Sequence, residues 1–136
     1  MENQKAILRT EIIIDWSELD AFGHVNNLQI MKYAQTARVH YLESLGLMQQ
    51  FLEEKKGPIL AAINTQFRKP LFYGGRALVE TKVTNIGNTS IKLQHRILND
   101  KGEIVAEVED VIVYYDFVKN SKLSVSAEIR AKIGLN

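Results

Sequence analysis

The chain has 136 residues, enough for one domain with a hydrophobic core, and 46% of them are hydrophobic. Its 17 Lys and Arg and 16 Asp and Glu give a net charge of +1, which argues against nucleic acid or an anionic membrane as main partner. Without cysteine it has no disulfide framework, thiolate nucleophile or cysteine metal site. Residues 1–9 lack an apolar stretch of signal-peptide or membrane-span length, so we expect a cytoplasmic protein with a single domain over residues 1–136.

The first predicted elements are a strand and a long helix. Residues 11–16 contain a run of isoleucines, a β-branched pattern that is typical of a strand. Residues 28–45 carry apolar side chains at spacings of three and four, which place them on one face of a helix. Asn27 is the predicted N-cap of this helix and Gly46 its predicted stop, and a short helix and a loop are expected within residues 49–57.

The second half of the chain predicts four strands and a short helix. Alternating apolar residues indicate strands over 59–68, 77–86, 90–98 and 103–117, and a helix follows over 124–133. The alternation in the last strand changes phase, which predicts a bulge near Glu109–Asp110. We expect these four strands to form an antiparallel meander, with the first strand added and the long helix packed on one face, an α+β fold.

The loop before the long helix, ELDAFGHVNN over residues 18–27, concentrates groups that can do chemistry. Asp20 and His24 lie on either side of Gly23. The start of a helix carries unpaired backbone N–H groups and a partial positive charge, which can hold a developing oxyanion near Asn27. The loop therefore predicts a base, a positioning imidazole and an oxyanion site close together. Simpler roles remain open, since Asp20 can cap a turn and His24 can brace the loop.

This loop, the run YAQTAR in the helix and the order of elements resemble the hot-dog fold thioesterases. The resemblance is strongest to the 4-hydroxybenzoyl-CoA thioesterase-like family and its acyl-ACP thioesterase relatives. It covers nearly the whole chain in element order and rests on residues 16–38, with weaker support from residues 67–70 and 87–90. It implies a long central helix wrapped by a curved antiparallel sheet. It also implies homodimers or homotetramers that pair sheet edges and hold active sites between subunits.

The resemblance further implies an acyl-CoA thioesterase that releases a free acid and CoA, with Asp20 as general base or nucleophile. The acyl-ACP relatives have the pattern D-x-N-x-H-V-N-N, and Phe22 stands here at the place of its first asparagine, which favours CoA over the carrier protein. No metal or cofactor is expected beyond the CoA of the substrate. The expected catalytic residues are Asp20, His24 and Asn27, and the expected substrate-binding residues are Phe22, Gly23, Arg68, Lys69 and Ser90.

Several alternatives stay open at this point. Arg68 and Lys69 are expected to bind the CoA phosphates, but they also fit a solvated strand end. Glu18 is expected to be exposed, and Arg38 to be structural or interfacial. An acyl-ACP thioesterase and a non-catalytic acyl-CoA-binding module are the alternative functions. A zinc site is disfavoured because His40 and His95 lack a ligand spacing relative to the loop.

Overall fold

The computed structural model describes residues 7–134 and shows a long helix packed against an antiparallel sheet. The α+β architecture expected from the sequence is therefore confirmed. Within the described residues, no helix is long and apolar enough to cross a membrane. The strands are β1 (Leu8–Ile13), β2 (Lys56–Phe67), β3 (Arg76–Ile86), β4 (Ser90–Leu98), β5 (Ile104–Asp116) and β6 (Ser121–Lys122), and the helices are α1 (Asn27–Ser44), α2 (Leu47–Glu54) and α3 (Ala127–Ile133).

The strand order in the sheet is β1-β3-β4-β5-β2, and β6 pairs with the end of β5. The predicted four-strand meander is wrong in one respect. Strands β3, β4 and β5 do follow one another, but β2 pairs with β5 instead of β3. The reason lies in residues 68–75, which contain Pro70 and are too long for a tight hairpin, so the chain crosses from one side of the sheet to the other. Strand β2 therefore lies at one edge of this path and β1 at the other.

Strand β5 keeps one alternation of buried and less buried residues from Ala106 to Asp116, so the bulge predicted at Glu109–Asp110 is wrong. The sequence suggests a phase change because the outward-facing residues beyond Asp110 are apolar, whereas Asp110 itself points inward. Asp110 is fully buried and is paired with Arg38 of α1 and His95 of β4, which makes an inward carboxylate tolerable. The register irregularities occur instead at Leu60/Ala62, Val83/Asn85 and Ile97/Leu98.

Helix α1 approaches the sheet closely through small side chains, since Ala34 and Ala37 are both fully buried against it. The helix begins with Asn26 as N-cap, one residue earlier than predicted. Asn26 has extended backbone angles, φ −61° and ψ 142°, and its Oδ1 accepts the N–H of Leu28 at 2.8 Å. Asn27 is consequently the first residue of the helix, with an N–H that the helix cannot satisfy.

Candidate active site

Asp20 makes hydrogen bonds that hold together the loop between β1 and α1. Its Oδ1 accepts the N–H of Phe22 at 2.9 Å and the N–H of His24 at 3.2 Å. Its own N–H donates to the carbonyl of His24 at 2.7 Å. Its Oδ2 has no hydrogen-bond partner within residues 7–134. Asp20 thus braces the turn with one carboxylate oxygen and keeps the other free, so the structural and the chemical interpretations of this residue are compatible.

A cavity of about 330 Å³ opens in front of this loop. It brings together three predicted catalytic residues, Asp20, His24 and Asn27, with the two predicted phosphate-binding residues, Arg68 and Lys69. The remaining wall is mainly apolar, which suits a substrate with an apolar group beside the reacting bond. Its residues are Val25, Ile30, Phe67, Pro70, Leu71 and Val105.

The start of α1 leaves one backbone donor for this cavity. The N–H of Leu28 is used by the side chain of Asn26, and the N–H of Asn26 donates to the carbonyl of Glu18 at 2.9 Å. The N–H of Asn27 has no acceptor in the part of the chain that the structure describes. The partial positive charge of an 18-residue helix also lies here, so this N–H can stabilise a negative charge in the cavity.

His24 is held by a segment far away in the sequence. Its ring meets the ring of Phe72 edge to face, with centroids 5.2 Å apart. The backbones of His24 and Phe72 form an isolated β-bridge, and the N–H of Val25 donates to the carbonyl of Leu71 at 2.8 Å. The ring nitrogens of His24 have no partner among residues 7–134, so they are available to water or substrate. No local sequence pattern could have identified Phe72 as this support.

The two cations on the cavity wall are already paired with acids. Arg68 Nη2 lies 3.0 Å from Glu107 Oε2, and Lys69 forms an ion pair with Glu103. The hydrogen bond from Lys69 holds the pKa of Glu103 below its ordinary value. Each basic side chain is about half exposed, and such surface pairs contribute little to stability because water screens them. A substrate phosphate could therefore replace either acid at little cost.

Three predicted substrate-binding residues lie away from the cavity wall. Phe22 is 84% exposed at the tip of the loop, and Gly23 supplies the positive φ of 81° that the turn requires. Ser90 begins β4 opposite Val113, whereas the cavity is at the other end of the sheet, where Phe67 pairs with Ala106. The structure does not bring Ser90 to Asp20 within one chain.

Glu18 does not take the exposed position expected for it. It is partly buried, and its Oε1 accepts the hydroxyl of Tyr33 at 2.7 Å and the N–H of Asp15 at 2.9 Å. Burial and the Glu18 carboxylate together raise the pKa of Tyr33 well above its ordinary value. No group of three or more His, Asp or Glu able to hold a metal occurs between residues 7 and 134.

Residues 14–133, nearly the whole chain, match the sequence profile of the thioesterase-like superfamily. The chain belongs to the thioesterase-like superfamily. This membership agrees with the cavity, where a carboxylate and a helix N-terminus meet, and it makes the chain a thioester hydrolase. The resemblance inferred from the ELDAFGHVNN loop is thereby confirmed.

Individual relatives of this thioesterase-like chain agree with that assignment. The long-chain acyl-CoA thioesterase FadM of Escherichia coli is 24% identical over 93% of this chain and 96% of its own length. The chloroplastic acyl-acyl carrier protein thioesterase ATL3 of Arabidopsis thaliana is 26% identical over 85% of this chain and 61% of its own length. Among solved structures, SAV2348 of Staphylococcus aureus in complex with CoA has a TM-score of 0.89 at 10% identity, covering 98% of this chain and 85% of that one. The last similarity concerns the fold alone, and it confirms the hot-dog architecture.

Proposed function

We propose that this thioester hydrolase acts on acyl-CoA and releases a free acid and CoA. The observation that carries the proposal is a single cavity lined by Asp20 and Asn27. Among the described residues, one carboxylate oxygen of Asp20 and the N–H of Asn27 have no hydrogen-bond partner. These are the two groups that thioester hydrolysis requires, a base or nucleophile and an oxyanion donor. The similarity to the acyl-CoA thioesterase FadM, which extends over almost its full length, supports CoA as the carrier.

In the general-base route, Asp20 Oδ2 takes a proton from water, and the oxygen of that water adds to the thioester carbonyl carbon. The carbonyl oxygen becomes negatively charged and accepts a hydrogen bond from the N–H of Asn27. The C–S bond then breaks, and the departing thiolate receives the proton from Asp20, so the carboxylate is regenerated. His24, held by Phe72, orients the carbonyl or the water in the same cavity.

In the nucleophilic route, Asp20 Oδ2 attacks the carbonyl carbon directly and expels the thiolate, which leaves an acyl-enzyme anhydride that water then hydrolyses. Both routes need one free carboxylate oxygen. A single turnover in H₂¹⁸O detects an anhydride that water opens at its Asp20 carboxyl carbon, because this attack leaves ¹⁸O in the protein. In the general-base route the label enters only the released acid.

The proposal is tested by free-thiol release from short, long and aromatic acyl-CoAs. Asp20→Asn should retain the fold and the binding of substrate but lower kcat by at least about a hundredfold, the scale of a lost catalytic carboxylate. Asp100→Asn is the matched control, since Asp100 is an exposed loop aspartate in the β4–β5 turn. Activity of Asp20→Asn within a few-fold of the control would refute the role of Asp20. Tight binding without any turnover would favour the non-catalytic acyl-CoA-binding module.

Hydrolysis of acyl-ACP by the same residues is the second candidate. The similarity to the acyl-acyl carrier protein thioesterase ATL3 over 85% of this chain favours it. Turnover of one acyl group carried either by CoA or by the carrier protein distinguishes the two candidates. A higher kcat/KM for the carrier protein would replace the acyl-CoA proposal.

We also propose that the chain forms a homodimer through the unpaired edge of β2. Within the described strands β2 pairs only with β5, and Ile59 and Leu60 on it are each 42% exposed. In such an assembly Ser90, which is remote from its own cavity, is available to the site of the partner. Light scattering gives the mass in solution and would also reveal a homotetramer.

The expected cytoplasmic location stays a prediction, which cell fractionation checks.

A further inference from the structure

The two groups proposed to act on the thioester come from different elements. Asp20 belongs to the loop after β1, whereas the N–H of Asn27 belongs to the first turn of α1. The distance between the two groups therefore depends on how firmly the loop is held against the helix. Displacements of about 1 Å between reacting groups can lower a rate by as much as a hundredfold. A residue that fixes this contact would influence kcat without touching the substrate.

Glu18 is the residue that joins the loop to the helix. Its backbone carbonyl accepts the N–H of Asn26, the N-cap of α1, at 2.9 Å. Its carboxylate accepts the hydroxyl of Tyr33, in the second turn of α1, at 2.7 Å. The same carboxylate oxygen accepts the N–H of Asp15 at 2.9 Å, in a capping box that encloses the 3₁₀ turn before the loop. The chain two residues before Asp20 is thus bonded to the helix at two points.

Tyr33 provides a rigid partner for this contact. Its side chain is 3% exposed and its ring belongs to the core between α1 and the sheet. A phenol that donates to a carboxylate forms a charge-assisted hydrogen bond, which is stronger than a neutral one. Because packing fixes the ring relative to α1, the hydrogen bond from its hydroxyl fixes the position of the Glu18 carboxylate relative to the helix. The loop is therefore held at a defined position against α1.

We propose that Glu18 and Tyr33 form a positioning pair that sets the distance between Asp20 and the N-terminus of α1, an inference that rests on the proposed function. The pair touches neither substrate nor reacting atoms, since neither residue lines the cavity. It acts by holding two groups that do line it. Loss of the pair changes the geometry of the transition state more than the binding of the acyl-CoA.

The decisive variant is Tyr33→Phe, which removes one oxygen atom and leaves the packed ring in place. We expect kcat for the best acyl-CoA to fall about tenfold while KM changes less than about twofold. The matched control is Tyr41→Phe, another buried tyrosine of α1 whose hydroxyl has no hydrogen-bond partner among the described residues. The control should keep both constants within about twofold of the parent.

A second pair of variants tests the carboxylate itself. Glu18→Gln retains an acceptor oxygen for Tyr33 and should recover most of the kcat that Glu18→Ala loses. In the Tyr33→Phe background the difference between these two variants should shrink, because the hydroxyl they contact is gone. The proposal is wrong if Tyr33→Phe and Tyr41→Phe have the same kcat, or if the loss of kcat equals the loss of folded protein measured by urea unfolding.

Amide hydrogen exchange gives a readout that does not depend on turnover. In Tyr33→Phe the N–H of Asn26, which donates to Glu18, should exchange faster than in Tyr41→Phe. If the parent protein hydrolyses no acyl thioester, the proposed function fails, but the exchange rates still test whether Glu18 and Tyr33 hold the loop against the helix. Equal exchange in the two variants would overturn the pair even in an active enzyme.

Discussion

Arg38 and Asp110 are joined by two hydrogen bonds inside the core, from Nε to Oδ2 at 2.8 Å and from Nη2 to Oδ1 at 3.2 Å. Asp110 Oδ2 also accepts the Nε2–H of His95, and Nδ1 of the same ring lies 2.7 Å from the hydroxyl of Thr81. Asp110, His95 and Thr81 are all fully buried. This polar chain links α1 to β5, β4 and β3 through the interior of the protein.

Replacement of Asp110 by asparagine should destabilise the protein strongly. Asp110→Asn leaves the Arg38 guanidinium buried opposite a neutral group, and removal of one member of a buried ion pair costs about 3–5 kcal/mol of unfolding free energy. Urea unfolding measures this change. Glu109→Gln, at the adjacent exposed position of β5, should alter the free energy by less than about 0.5 kcal/mol. A loss of under about 1 kcal/mol for Asp110→Asn would contradict the assigned role.

Stability should also depend on pH through the same carboxylate. Burial raises the pKa of Asp110, but hydrogen bonds from His95 and Arg38 outweigh it and hold that pKa below the ordinary value of 3.8. Since the folded pKa is the lower one, the contribution of Asp110 is complete above about pH 3.8 and is lost as pH falls through the folded value. The stability difference between parent and Asp110→Asn, measured by urea unfolding, should therefore shrink in acid. A difference that stays constant would contradict this.

Substitution of Asn27 by proline should remove the backbone oxyanion donor without disturbing the helix. Proline suits the first residue of a helix, and the extended backbone of Asn26 is the conformation that a following proline requires. Asn27→Pro should therefore fold normally and lower kcat by about a hundredfold or more, the usual effect of losing one oxyanion donor. Thiol release and circular dichroism measure the two quantities.

The control for this backbone change is Ala127→Pro. Ala127 is the first residue of α3 and follows Ser126, an N-cap with φ −68° and ψ 158°. Both substitutions thus remove the backbone N–H of the first residue of a helix. Unchanged kcat in Asn27→Pro would show that the N–H of Asn27 does not hold the oxyanion.

Arg68 should contribute to the recognition of phosphate. Arg68→Ala should raise KM for acyl-CoA about fivefold and leave KM for the same acyl group on pantetheine, which lacks the nucleotide, unchanged. Arg9→Ala is the matched control, because Arg9 is similarly exposed and ion-paired with Glu80 but lies on β1, away from the cavity. An equal rise in KM for both substrates would mean that Arg68 maintains the structure of the loop and does not bind the phosphates.

Much of the fold is predictable because hydrophobic periodicity is local. The long helix differs from its predicted bounds by one residue at each end, and the strand over 90–98 agrees at both ends. The partner of β2 is not predictable in this way, since it depends on where residues 68–75 lead the chain. The inward aspartate at 110 is likewise decided by Arg38, which is 72 residues away in the sequence.

In the candidate site, too, local features are predictable from the sequence and long-range contacts are not. Asp20, His24 and Asn27 belong to one short sequence motif, so their proximity could be predicted from it. Asn26 and Asn27 are chemically identical neighbours, and only the backbone angles decide that Asn26 is the N-cap. The supports from Phe72 and Tyr33 depend on tertiary packing, for which the sequence carries no local signal.

Phe67 is at once the last residue of the edge strand β2 and a part of the cavity wall, and its side chain is 48% exposed. Any chain that pairs along β2 would therefore cover one side of the cavity while it buries the edge. Assembly and catalysis would then share one surface, and the turnover number per chain would depend on protein concentration until all chains are paired.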